Sequence, residues 1–227
     1  MPGPILSLDD LEIAARGYLP RPVFGYVSGG VETDTSLTLN RTVWNAWHFR
    51  TSVLRDVSSR SLDTDLFGTR YAAPFGVSPM GAIGAAAYRG DIAIARATRD
   101  AGIPMILSGA ALVTMEDARE NGAAWFQAYV GGGDGMVDTI ADRAAKAGYD
   151  TLCVTADVPL MRHGYRVPLR PRPRLLFDGL MRPRWLAGCF LRTLVAHGMP
   201  HYENMGARIP YLSNSFQRTP TLRDRLT

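Results

Sequence analysis

From Tyr71 onward the chain alternates short apolar runs with amphipathic stretches that each stop at a glycine, and this limits the fold more than any other feature. The apolar runs are residues 73–78, 104–108, 124–130 and 151–155. Between them 86–101, 115–121 and 135–147 read as helices, each closed by Gly102, Gly122 or Gly148 as a C-terminal stop. Strand–helix units of about 25 residues with near-continuous apolar strands predict a parallel sheet covered by helices. Four such strands are visible before the pattern ends.

Polar side chains gather where these strands stop. Residues 125–130 carry Gln127 and Tyr129, and 155–159 carry Thr155 and Asp157. Active sites of parallel barrels are built at that end, because the loops leaving the strands converge there. The competing reading is that Gln127, Tyr129 and Thr155 satisfy backbone groups at a rim.

The first 70 residues have a different texture. Ser7-Leu8-Asp9-Asp10 forms a capping-box-like start, and Leu11, Ala14, Ala15 and Tyr18 carry a helical stripe to the stop at Pro20. Short helices are predicted around 24–27 and 36–47, and no strand is evident. At the other end, residues 161–220 are rich in Arg, Pro and Gly, with an apolar stretch at 185–195. A connection of that length points to a functional loop or a mobile segment. Arg170, Arg172, Arg174, Arg182 and Arg184 read either as a solvated loop or, beside Trp and Leu, as contact with an acidic lipid surface. Nucleic acid fits less well, since neither a known module nor a stacking array is present.

Composition adds bounds. At 227 residues and 46% hydrophobic there is material for a sizeable core, but less than the roughly 250 residues of a whole (β/α)8 barrel. The net charge of +4 reflects arginine, because Lys146 is the only lysine. Cys153 and Cys189 form no framework, and Cys153 reads as a buried thiol. The N-terminus has no basic region of the secretory kind, and no apolar run is long enough to span a membrane.

Many spaced anchors occur in one order: Leu19-Pro20, Tyr26, Ser28-Gly29-Gly30, Asn40, Phe49-Arg50, Leu54-Arg55-Asp56-Val57-Ser58, Pro74 to Pro79, Leu107-Ser108, Gln127-Ala128-Tyr129 and Thr155-Ala156-Asp157-Val158-Pro159. On these the chain resembles the N-terminal half of the FMN-dependent L-2-hydroxy-acid dehydrogenase/oxidase family, which includes glycolate oxidase, flavin lactate dehydrogenase and mandelate dehydrogenase. The resemblance implies an α/β fold: the first half of a (β/α)8 barrel over residues 71–160, after an N-terminal helical segment at 1–70 and before an Arg/Pro-rich loop region at 161–227.

The resemblance also implies roles. Pro79, Met80 and Gly81 match the segment that packs its backbone against the flavin ring, with Gly81 where the family usually has alanine. Ser108, Gln127 and Thr155 match polar positions along the ring edge, where hydroxyl and amide groups can follow the changing donor pattern of a redox ring. Tyr26 and Tyr129 match the substrate tyrosines, although either, taken singly, reads as an ordinary packing residue. Asp157 matches an aspartate that orients a catalytic histidine; its plainer reading is a loop cap. Arg166, in Gly164-Tyr165-Arg166, matches the arginine that clamps the substrate carboxylate, with an apparent insertion near Arg162-His163 and Val167 where an acidic residue is expected.

In the family, a histidine takes the hydroxyl proton as hydride passes to the flavin, and the 2-hydroxy acid becomes a 2-oxo acid. That histidine, a flavin lysine and the FMN phosphate site belong to the second half. None of the four histidines here follows a sixth strand, so His163 and His201 would be the substitutes. The expectation is a fragment or split half, inactive alone, completed by a second chain. The alternative is a non-catalytic half-barrel remnant or interaction module. Residues 170–195 resemble the inserted loop by which mandelate dehydrogenase meets the membrane, which implies a cytoplasmic protein peripheral to the inner face of the plasma membrane.

Overall fold

The computed structural model describes residues 4–30, 33–129, 136–156, 173–205 and 209–210. The chain opens with α1 (Leu8–Tyr18), held by the expected capping box: Asp10 N–H reaches Ser7 Oγ, and Asp10 Oδ2 accepts from Ser7 N at 2.8 Å. Helices α2 (Arg21–Ser28) and α3 (Thr35–Thr42) follow, and a 3-10 turn at Val43–Ala46 ends the helical segment.

The structure then departs from expectation. Strands β1 (Thr64–Leu66) and β2 (Thr69–Tyr71) form an antiparallel hairpin within the segment that gave no strand signal. Its two-residue turn, Phe67-Gly68, has φ of 50° and 81°. Such a turn normally announces itself by Asn-Gly or Asp-Gly, and Phe67 hides it.

The expected first barrel strand, 73–78, is reduced to a single parallel bridge between Val77 and Met105. Pro74 and Pro79 cannot donate to a ladder. Gly76 also lies so close to Pro104 that a Cβ would sit 2.4 Å from its carbonyl oxygen. A 3-10 turn at Ile83–Ala85 precedes α4 (Gly90–Asp100), whose start is four residues later than the pattern at 86–101 implied.

The remaining units follow the sequence pattern: β3 (Ile106–Ser108), α5 (Met115–Glu120), β4 (Trp125–Tyr129), α6 (Met136–Lys146) and β5 (Leu152–Thr155). The strands pair in parallel in the order β3-β4-β5. Gly102, Gly122 and Gly148 have φ of +67°, +115° and +90°, the left-handed stops that the sequence required. At Gly122 space is a second constraint, since a Cβ would meet Arg99 Cβ at 2.7 Å.

Met105, Leu107, Phe126, Met115, Ile140 and Tyr149 form the main core between sheet and helices. Phe126 is fully buried, worth roughly 1.5–3 kcal/mol of transfer free energy. On the same face of the next strand, Leu152 and Val154 pair with Phe126 and Ala128 but are 38% and 56% exposed. Among the described residues β5 pairs on one side only. Cys153 is half-buried rather than buried. Asp91, at the start of α4, is fully buried with neither carboxylate oxygen hydrogen-bonded among the described residues.

The Arg/Pro-rich region is helical where described. Helix α7 (Pro173–Leu180) is followed by α8 (Pro183–Trp185), a π-helical segment Leu186–Leu191, and α9 (Arg192–His197). Trp185 and Cys189, one turn apart, face inward onto Leu19 and Val23. The Trp185 indole donates to Ala85 O at 2.9 Å. Arg182 donates to Gly17 O at 2.7 Å and so caps the end of α1. Trp185 is therefore a core residue, which removes it from the apolar surface that the sequence suggested. A short antiparallel pair, β6 (His201–Tyr202) with β7 (Ile209–Pro210), completes the described chain.

Candidate active site

Three parallel strands end together, and their register places Ser108 beside Gln127 and Tyr129 beside Thr155. Side chains two residues apart share a face, so Gln127 can reach diagonally to Thr155. The result is one continuous hydrogen-bond chain. Ser108 Oγ donates to Gln127 Oε1 at 3.1 Å, and Gln127 Nε2 donates to Thr155 Oγ1 at 2.7 Å.

The direction of this chain is fixed by the backbone. Gly109 N–H can only donate, and it reaches Gln127 Oε1 at 3.2 Å. Ala110 N–H likewise donates to Ser108 Oγ at 3.1 Å. The amide nitrogen of Gln127 is thus left to face Thr155, whose oxygen accepts and whose own proton remains available to an outside acceptor. Ser108 and Gln127 are 2% and 4% exposed, which makes any unpaired group there costly.

Small residues line the neighbouring backbone. Gly81 lies against Ala110 and Ser108; a Cβ at Gly81 would be 3.1 Å from Ala110 Cβ and 3.9 Å from Ser108 Oγ. Ala82 N–H donates to Ala110 O at 2.9 Å, tying the 79–81 segment to the end of β3. Gly109 has room for no side chain, because a Cβ would sit 2.9 Å from Gln127 O and 3.4 Å from the Tyr129 ring. Gly109 and Ala110 were not singled out from sequence, although the small-residue run 108–111 was the available signal.

Tyr26, on α2, and Tyr129, at the end of β4, are each partly exposed. Both lie near Tyr202 on β6, whose phenol is pushed up to about 12 by burial and further by charge on Tyr26 and Tyr129. The structure thus brings Tyr26, Tyr129, Gly81, Ser108, Gln127 and Thr155 to one end of the sheet. Asp157, Arg166 and His163 lie outside the described residues. His201 does not join the strand-end groups: its Nδ1 donates to Met199 O at 3.0 Å. Its Nε2 lies 2.7 Å from Glu203 Oε1, a short approach off the hydrogen-bonding direction.

The chain is also similar to known proteins. The sequence profile described as FMN-dependent dehydrogenase matches residues 15–225. The (S)-mandelate dehydrogenase of Pseudomonas putida is 34% identical over 209 residues, covering 88% of this chain and 52% of that protein. A putative L-lactate dehydrogenase of Mycobacterium tuberculosis is 34% identical over 193 residues, covering 81% and 47%. A crystal structure described as the monotopic membrane protein (S)-mandelate dehydrogenase superposes with a TM-score of 0.76 at 34% identity, over 86% of this chain and 53% of that one. The chain spans about half the length of the relatives it matches. The fold is a partial α/β barrel of their type, and the chain belongs to the FMN-dependent dehydrogenase family.

Proposed function

We propose that this chain supplies the flavin-ring side and part of the substrate side of an FMN-dependent oxidoreductase that converts an L-2-hydroxy acid to a 2-oxo acid. The observation that carries this is the oriented chain Ser108–Gln127–Thr155 beside the small-residue surface of Gly81 and Ala110. A planar ring with alternating donors and acceptors suits such a row of neutral groups, and the small residues at 81 and 110 suit its close approach.

Bound FMN would accept a hydride from the substrate carbon. The residues of this chain would position the reactants. Thr155 would donate its free proton to the ring edge, and Gln127 would hold Thr155 and Ser108 in line. Pro79, Met80 and Gly81 would pack backbone on the ring. Tyr26 and Tyr129 would hydrogen-bond the substrate, and Arg166 would clamp its carboxylate. Asp157 would orient a histidine supplied by further polypeptide, together with the flavin lysine and the phosphate site. Segments 1–70, 71–160 and 161–227 would act as entry helices, half barrel and cover.

Completion by a second chain is supported by β5, which is paired on one side only among the described residues and exposes Leu152 and Val154 where a helix would cover them. The same edge supports the second reading, a non-catalytic half-barrel that acts as an interaction module. Peripheral contact with a membrane at the inner face of the plasma membrane, through 170–195, is supported by Phe177, Leu180 and Met181, which are 64%, 66% and 63% exposed. Among the described residues no helix is long and apolar enough to cross a membrane.

The test is anaerobic reduction of FMN by lactate or mandelate. The purified chain should leave the flavin oxidised, and the chain mixed with a polypeptide carrying a family second half should bleach it. Failure to bleach in a mixture that binds FMN favours the interaction module.

A further inference from the structure

Three phenols from distant parts of the chain lie within electrostatic reach near the strand ends, and the family resemblance accounts for only Tyr26 and Tyr129. The third, Tyr202, lies 73 residues beyond Tyr129 in a segment with no sequence periodicity. It is 8% exposed, against 39% for Tyr26 and 36% for Tyr129. Its ring packs on Ala82 and Ala110, the residues that flank Gly81 and the end of β3. One side of Tyr202 therefore rests on the small-residue surface, and its hydroxyl is within electrostatic reach of both exposed phenols.

This placement is held by a clasp. Asn204 is 2% exposed; its Oδ1 accepts from Met115 N at 2.9 Å and its Nδ2 donates to Val113 O at 2.9 Å. Glu203 N–H reaches Ala111 O at 3.3 Å. Arg143 donates to Glu203 O at 3.0 Å while its other nitrogens hold Glu116 at 2.7 and 2.8 Å. Four polar contacts thus fix residues 203–204 across the loop that leaves β3. A fixed, buried ring beside partly exposed tyrosines has the character of a wall rather than a gate.

We propose that Tyr202 is a specificity-determining residue, the wall that limits the size of the substituent on the 2-hydroxy acid. The inference rests on the 2-hydroxy-acid reading given above and extends it to substrate choice. Ala82 and Ala110 offer little bulk, so among the described residues Tyr202 is the largest side chain of that cluster, which Leu112 and Met205 complete. The discrimination is steric: each methylene gained or lost in a fitted pocket changes relative binding by about 10-fold or more.

The test compares two product-side acids, pyruvate and phenylglyoxylate, binding to the full chain completed by FMN and a family second half, by ligand-observed saturation-transfer NMR. Wild type, Tyr202→Leu and Tyr202→Phe are measured at several ligand concentrations. Tyr202→Leu should raise affinity for phenylglyoxylate relative to pyruvate by about tenfold or more. Tyr202→Phe, which keeps the ring, should leave the ratio within about threefold. If the Leu variant does not fold, Tyr202→Trp should lower the same ratio by a comparable factor. Ratios equal to wild type in the folded Leu or Trp variant overturn the inference while the 2-hydroxy-acid reading stands. If wild type binds neither acid, that reading falls and the inference with it.

Discussion

Gln127 Nε2 donates to Thr155 Oγ1 at 2.7 Å across the β4–β5 pair, and the same amide's oxygen is held by Ser108 and Gly109 on the other side. One side chain thus ties the end of β4 to the ends of both neighbouring strands. Gln127→Leu would leave the Gly109 N–H, the Ser108 hydroxyl and the Thr155 hydroxyl to find new partners in a buried setting. The expected loss is about 2–4 kcal/mol, read by urea unfolding. Thr155→Val, which takes the acceptor from Gln127 Nε2, should cost less than Gln127→Leu, about 1–2 kcal/mol.

Asn204 makes a similar demand at longer range. Asn204→Leu strands the Met115 amide and the Val113 carbonyl and should destabilise the chain by about 2–4 kcal/mol. Hydrogen exchange gives a local signature. The Met115 amide should lose protection well before the amides of β4 do.

Asp91 predicts a pH dependence. Burial pushes its carboxyl up to about 6 from an ordinary value of 3.8. The folded chain therefore holds this proton more tightly than the unfolded chain does. Its favourable contribution is complete below the unfolded value and is lost as pH rises from about 4 through about 6. At pH 8 the buried charge should cost on the order of 3 kcal/mol, less what the N-terminus of α4 returns. Asp91→Asn should thus exceed wild type in stability at pH 8 and converge with it near pH 4. Parallel stability curves for the two proteins would show that Asp91 has a partner or stays hydrated.

Membrane contact separates by residue. Phe177→Ser with Met181→Ser should reduce sedimentation with anionic vesicles without lowering the unfolding midpoint, since both side chains are exposed. Trp185→Ala should instead lower stability by about 3–5 kcal/mol, because its ring is in the core that joins α2 to the π-helical segment.

The βα units were legible because near-continuous apolar runs and glycine stops are local signals. Gln127 and Thr155 stood out as polar residues toward the ends of such runs, whereas Ser108 entered through the family resemblance alone. The hairpin at 64–71 was not, because Phe67 occupies a left-handed turn position with no chemical mark of it. The helices after Pro173 were hidden by Arg, Pro and Gly, although the Trp185–Cys189 spacing of one helical turn was present. Tyr202 and Asn204 owe their positions to contacts made across some ninety residues, such as Asn204 with Val113, and no local pattern records them.

The role of the Gln127 chain is tested most directly by titrating FMN fluorescence with the full chain, wild type against Thr155→Val. Wild type should quench the flavin saturably, with weak affinity, since phosphate-binding loops of such barrels come from their last strands. Thr155→Val should weaken binding about fivefold, the loss of one hydrogen bond of about 1 kcal/mol. Equal affinities, or no saturable quenching by wild type, would contradict the placement of these residues at the flavin edge.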